Sequence, residues 1–372
     1  MERVYGTAMN KCRLMLFVAG WVALALTGCG GPSHRPADTS TRASAATTGL
    51  VPSGVPTEGI RPSGDALSLA AEPESALKQY NPLAGRIVAV GQAPEGVVVD
   101  TETRTVAVAT HHPDQLVLID ADTATVTVRM PLPGSVRHVE LASPGGPLLV
   151  PVETANALLR VALPGGIASP SVVTGTSPHD AAAAANGTVF VSNELGGTVA
   201  AVRGGGVVKV FTDSVQPAGM AAVGNTVGML DARANDLTTY DAANLSIVGS
   251  APAGAGPTHL IADRHGRMIA ADTRGDAVRV FTLAPTPKQV GSAAQPGAPY
   301  GIAYDPVRDR LWVASSGTNE IIGYDMATPN PVEIQRFPTV QNPYSLGVDS
   351  KSGRLYVAGV TGGVLQILDT AA

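Results

Sequence analysis

The chain has 372 residues, 44% hydrophobic and 4% aromatic, with a formal net charge of −5. A mildly acidic chain without a Lys/Arg cluster is not built to hold nucleic acid or to adhere electrostatically to a membrane. Its two cysteines, Cys12 and Cys29, lie near the N-terminus, which excludes an internal disulfide and thiol catalysis from everything that follows.

Residues 1–28 have the pattern of a bacterial export signal. Arg3, Lys11 and Arg13 make a basic start, and 14–26 is an apolar run of 13 residues, short of the ~20 that a spanning helix needs. Met9 is an alternative start to Met1, since Asn10-Lys11-Cys12-Arg13 would supply the basic region. The run ends in Leu26-Thr27-Gly28-Cys29, which looks like a lipobox. That resemblance implies a lipoprotein: cleavage before Cys29, a diacylglycerol thioether on its sulfur, an acylated amino group, and a place on the outer side of the cell membrane. Loss of the signal removes Glu2, Arg3, Lys11 and Arg13 and leaves the chain two charges more negative.

Residues 29–79 are rich in Pro, Ser, Thr, Ala and Gly and lack apolar periodicity, which predicts a lipidated cysteine followed by a disordered tether. About 50 such residues give a reach of roughly 40 Å.

Residues 80–372 are organised by a repeated phrase. One copy reads Pro299-Tyr300-Gly301-Ile302-Ala303-Tyr304-Asp305 and then Arg310-Leu311-Trp312-Val313-Ala314; the next reads Pro343-Tyr344-Ser345-Leu346-Gly347-Val348-Asp349 and then Arg354-Leu355-Tyr356-Val357-Ala358. Units begin near Pro94, Val136, Pro178, Pro217, Pro257, Pro299 and Pro343, at intervals of 42, 42, 39, 40, 42 and 44 residues, the period of propeller blades. In the sixth unit the four apolar runs are 300–304, 311–314, 321–324 and 332–337, separated by turn residues. Residues 181–185, all alanine, favour helix by propensity but occupy the innermost-strand slot, and are read as strand. The seventh unit holds only three runs, and a spare strand lies at 85–90. Ring closure by that strand removes two open sheet edges. The expected fold is therefore all-β: a seven-bladed β-propeller closed by an N-terminal strand completing the last blade. The Pro-x-Gly-Ile-Ala-x-Asp start and Leu-Trp/Tyr-Val-Ala second strand resemble the surface-layer (YncE-like) and streptogramin-lyase-like propeller repeats.

Strand order sorts the polar residues. Asp100, Asp263, Asp305 and Asp349 end first strands, and Asp120, Asp241, Asp325 and Asp369 end third strands. These belong to the bottom rim and read as turn acceptors. His34 falls in the tether and His265 in a bottom turn, whereas the other five histidines fall on the top rim. His138, His179 and His259 open first strands beside the central channel, and His111 and His112 lie in a loop of unit one. Neighbours on an extended chain face opposite ways, so His111 and His112 do not both turn inward. Glu153, Asn193, Glu194, Asp231, Arg233, Asp272 and Arg274 come from top loops, and Arg137, Asp180, Tyr300 and Tyr344 from first-strand starts.

Imidazoles around one funnel suit a divalent metal, with His138, His179 and His259 as ligands, or general-base chemistry, or an anionic ligand. Two functions follow. One is a membrane-anchored, monomeric scaffold that binds a small ligand or a protein partner on its top face, with Glu153, Asn193, Glu194, Asp231, Asp272, Tyr300 and Tyr344 as contacts. The other, implied by resemblance to propeller lactonases and streptogramin lyases, is a hydrolase or lyase. It would use His111, His138, His179 and His259 as bases or ligands, with Arg137 or Arg274 steadying an anion.

Overall fold

The computed structural model describes residues 67–78 and 82–370. The export signal, Cys29, His34 and the tether as far as residue 66 lie outside the described residues.

Seven antiparallel sheets follow one another along the chain, which makes the seven-bladed propeller. Blade six shows how a unit becomes a blade. Pro299–Asp305, Arg310–Ser315, Glu320–Asp325 and Val332–Pro338 pair in sequence order. The middle strands are buried on both faces, whereas the last alternates toward solvent. Blade three places the first three of its five alanines in an inner strand, Pro178–Ala183, and passes into a turn through Ala184 and Ala185. Inner strands crowd the axis: a Cβ at Gly219 would lie 2.6 Å from the Thr258 carbonyl oxygen, and one at Gly301 2.8 Å from that of Tyr344.

Closure follows the expected route. Arg86–Ala89 forms the outer strand of blade seven, antiparallel to Val364–Leu368, with Arg86 opposite Ile367 and Ala89 opposite Val364. The apolar core is divided into seven clusters, one between each pair of adjacent blades, including the pair that joins blade seven to blade one. The blade-one turn also reaches blade seven: Arg104 holds Asp349 at 2.6 Å, and the Tyr356 hydroxyl donates to the Ala121 carbonyl at 2.7 Å. Most of the bottom-rim aspartates do what their positions suggest, whereas Asp369 pairs with Arg354 instead. Asp120, Asp241, Asp305 and Asp325 each accept a backbone N–H two or three residues on, at 2.7–2.9 Å.

One segment departs from the expectation. Residues 67–78, read from composition as the end of a disordered tether, lie extended along the top face. Ser68 Oγ donates to the Arg233 carbonyl, while Arg233 Nε donates to the Ser68 carbonyl, each at 3.1 Å. Arg274 donates to the Leu69 carbonyl (2.7 Å), Gln341 to that of Ala76 (2.9 Å) and Asn319 to that of Leu77 (2.9 Å). The Glu74 amide donates to Ser316 Oγ and the Ala76 amide to Asn342 Oδ1. The strap thus crosses the loops of blades four to seven. The physical reason composition misses it is that its main chain makes most of these bonds.

Candidate functional site

The top of each inner strand carries the variable letters of the repeat, and the backbone there is irregular. Register shifts fall between Pro178 and Asp180, Pro257 and His259, Pro299 and Ile302, and Pro343 and Ser345. Such a bulge re-aims the side chains beside it. Here it splits successive letters into two layers. The second letters Arg137, His179, Thr258 and Tyr300 line a small space at the mouth, about 20 Å³, capped by Ala70, Ala71 and Glu72 of the strap. The third letters His138, Asp180, His259 and Ser345 line a channel cavity of about 230 Å³ beneath it.

An aromatic layer separates the two. The His138 ring lies 4.6 Å from those of both His179 and His259, centroid to centroid. His259 packs edge-on to Tyr300 at 4.3 Å, and Tyr300 to Tyr344 at 5.6 Å. The three histidines expected at the funnel therefore meet, but as rings packed at a tilt, 47° and 52° between planes. Their donor atoms form neither of the two three-ligand groups found among the described residues, which are His138 with Glu140 and Asp180, and Glu153 with His179 and Glu194. His111 stands apart, with Nε2 3.4 Å from Glu95 and Nδ1 3.2 Å from Asp114. His112 lines a surface recess with Gln92 and Val360.

At the mouth the charges are balanced. His179 Nδ1 lies 3.1 Å from Glu194 and 3.8 Å from Glu153, close enough for ion pairs but not aligned as a hydrogen bond. Arg137 Nε lies 3.1 Å from the same oxygen of Glu153, and Gln216 Nε2 donates to Glu194 at 2.9 Å. Burial opposes the charge on His179, but the two carboxylates outweigh it and push its pKa up to about 9. Burial acts against ionised Glu194 too, yet His179 brings it down to about 2. Burial, helped by the charge on His179, takes His259 down to about 3. His138 is held well below its ordinary value by burial and then by His259, His179 and Arg137. None of the three imidazoles is thus poised near neutral pH, where a general base works best.

The remaining sequence candidates bond within the top loops or to the strap. Buried Asp231 accepts the backbone N–H groups of Val215 (2.6 Å) and Ala234 (2.8 Å). Buried Asp272 accepts those of Ala255 and Gly256 and pairs with Arg279 at 2.8 Å. Asn193 donates to the Thr174 carbonyl, and Arg274 bonds Ala255 and the strap. Sequence reasoning missed Glu140, Gln216 and the strap. Glu140 was findable: it follows His138 by two, and a strand repeats its facing every second residue.

No protein-family model matches the sequence, and no curated protein does. Solved structures do match in shape. Hydrazine synthase of Kuenenia stuttgartiensis aligns with a TM-score of 0.65 at 15% identity, over 75% of this chain and 96% of that one. Virginiamycin B lyase from Staphylococcus aureus aligns with a TM-score of 0.63 at 15% identity, over 77% and 99%. A streptogramin B lyase aligns with a TM-score of 0.61 at 14% identity, over 78% and 95%. At these identities the likeness is one of fold.

Proposed function

We propose that this chain is an exported, lipid-anchored, monomeric propeller that binds an extended polypeptide across its top face. The observation that carries the reading is the strap itself. Six of its hydrogen bonds to the top loops use its own backbone groups, so the face reads main chain more than side chain. The seat also selects size. A Cβ on Gly256 would stand 2.6 Å from that of Ala71, so this position takes a small residue. A partner with an extended segment that carries a small residue there therefore fits, and the strap is its intramolecular counterpart. The absence of an imidazole poised near neutrality, among the three at the throat, weighs against the lyase or hydrolase alternative. The lipid anchor rests on Leu26-Thr27-Gly28-Cys29. Mass spectrometry of the mature N-terminus tests it, and an unmodified Cys29 contradicts it.

Binding is tested by calorimetry with a synthetic peptide of residues 64–79 and a variant lacking 67–78. The reading predicts 1:1 binding to the variant and none to the intact chain, with an Ala71→Trp peptide failing to bind. A cooperatively folding variant that ignores the peptide contradicts it.

A further inference from the structure

The channel beneath the histidine layer holds a second group of chemistry-bearing residues that the top face does not use. His138, Glu140 and Asp180 each present a donor atom, and these atoms all lie within 4.8 Å of one another. All three residues line the 230 Å³ cavity. Asp180 is fixed in place: its Oδ2 accepts the Met220 amide and its Oδ1 the Ala181 amide, each at 2.7 Å. Each oxygen keeps a further lone pair.

His138 and Glu140 behave differently. His138 is only 8% exposed, yet its ring nitrogens have no hydrogen-bond partner among the described residues; its ring contacts are the tilted rings of His179 and His259. Glu140 likewise makes no side-chain hydrogen bond or ion pair among the described residues. Two carboxylates side by side in a channel walled by Ala181, Ala182, Ala221 and Ile261 repel each other. No cationic side chain in the channel wall offsets this: Arg137 and His179 serve Glu153 and Glu194 at the mouth.

We propose that His138, Glu140 and Asp180 form a binding site for one first-row divalent metal ion inside the central channel. One imidazole nitrogen and two carboxylate oxygens suit manganese, iron or zinc, whereas calcium takes oxygen ligands alone. The dication cancels both carboxylate charges and gives a His138 ring nitrogen, open to the cavity, its partner. Waters complete the coordination sphere, and the cavity has room for several at about 30 Å³ each. The site differs from the Glu153–His179–Glu194 group, which Arg137 and Gln216 already satisfy.

The test uses the full chain, extracted in detergent, with Mn²⁺ and Zn²⁺ as probes. Equilibrium dialysis is expected to give one tight equivalent. Glu140→Gln weakens it at least about tenfold, the loss that removing even an outer partner of a ligand produces. Glu153→Gln leaves it unchanged. Glu140 lines the cavity rather than packing in a core, so its variant folds; a melting curve that matches the parent confirms that. Pulsed electron paramagnetic resonance of the Mn²⁺ form is expected to show imidazole ¹⁴N modulation that disappears in His138→Phe. The proposal is overturned by no binding at millimolar metal, by binding that survives Glu140→Gln, or by loss in Glu153→Gln instead. The strap stays in place throughout, so failure here does not bear on peptide binding, nor the reverse.

Discussion

Single side chains decide whether the mouth is sealed. Gly256 has room for no more than hydrogen, because a Cβ there would meet Ala71 at 2.6 Å and Arg274 at 2.8 Å. Gly256→Val is predicted to release the strap while leaving the blades intact. Limited proteolysis should then cut within 67–78 at enzyme concentrations that spare the parent, and equal resistance would refute the close fit. His179 makes a second case. It stands between two part-buried carboxylates, and removing one partner of a buried pair costs about 3–5 kcal/mol because the others are left uncompensated. His179→Ala should lower stability by that order in denaturant unfolding, and adding Glu194→Gln should restore part of it. A single variant within 0.5 kcal/mol of the parent would show that the network is not coupled (a change that small being ordinary for surface sites).

At the scale of the strand, the closing element carries the most risk. Arg86–Ala89 is four residues long and holds blade seven together with blade one through Val88 and Val90. Val88→Pro should cost about 2–3 kcal/mol and appear as a lower melting temperature; an unchanged one would mean the ring does not depend on this strand. The element scale also shows what the sequence makes legible. The blade boundaries, the shared outer strand and the alanine-rich inner strand all follow from a repeat period and from the need to close sheet edges. The second and third letters of each repeat point to Arg137, His138, His179, His259 and Tyr300, and these do meet at the throat. Which of them face the mouth and which the channel depends on bulges that leave no sequence signal. The strap was illegible for a related reason: Ala71 is its one deeply buried apolar side chain, and hydrogen bonds from backbone groups do not select residue types. Asp231 and Asp272 resemble ligand contacts in sequence because acceptors for loop amides are the same residue types that bind ligands.

Across the whole molecule, the ring sets how stability responds to acid. Asp349 is desolvated, which raises its pKa, but Arg104 and Ser352 outweigh that and hold the carboxyl well below the usual range. Asp120 and Asp241 are also lowered, chiefly by backbone amides in their own turns. A carboxyl depressed in the folded state stabilises fully above its unfolded pKa, and that contribution is lost as pH falls through the folded value. Unfolding free energy should therefore decline below about pH 4, and Asp349→Asn should be less stable at neutral pH but flatter across that acid limb. A parallel acid limb in the variant would contradict the assignment. The top face follows from the same architecture: a closed ring presents seven loop clusters around one mouth, and in this chain a segment of its own occupies four of them. Amide hydrogen exchange on the intact protein tests that claim most directly. The Glu74 and Ala76 amides, bonded to Ser316 and Asn342, should be protected, and Gly256→Val should strip that protection without loosening the blades. Amides of 67–78 that exchange as fast as a free peptide would contradict the account.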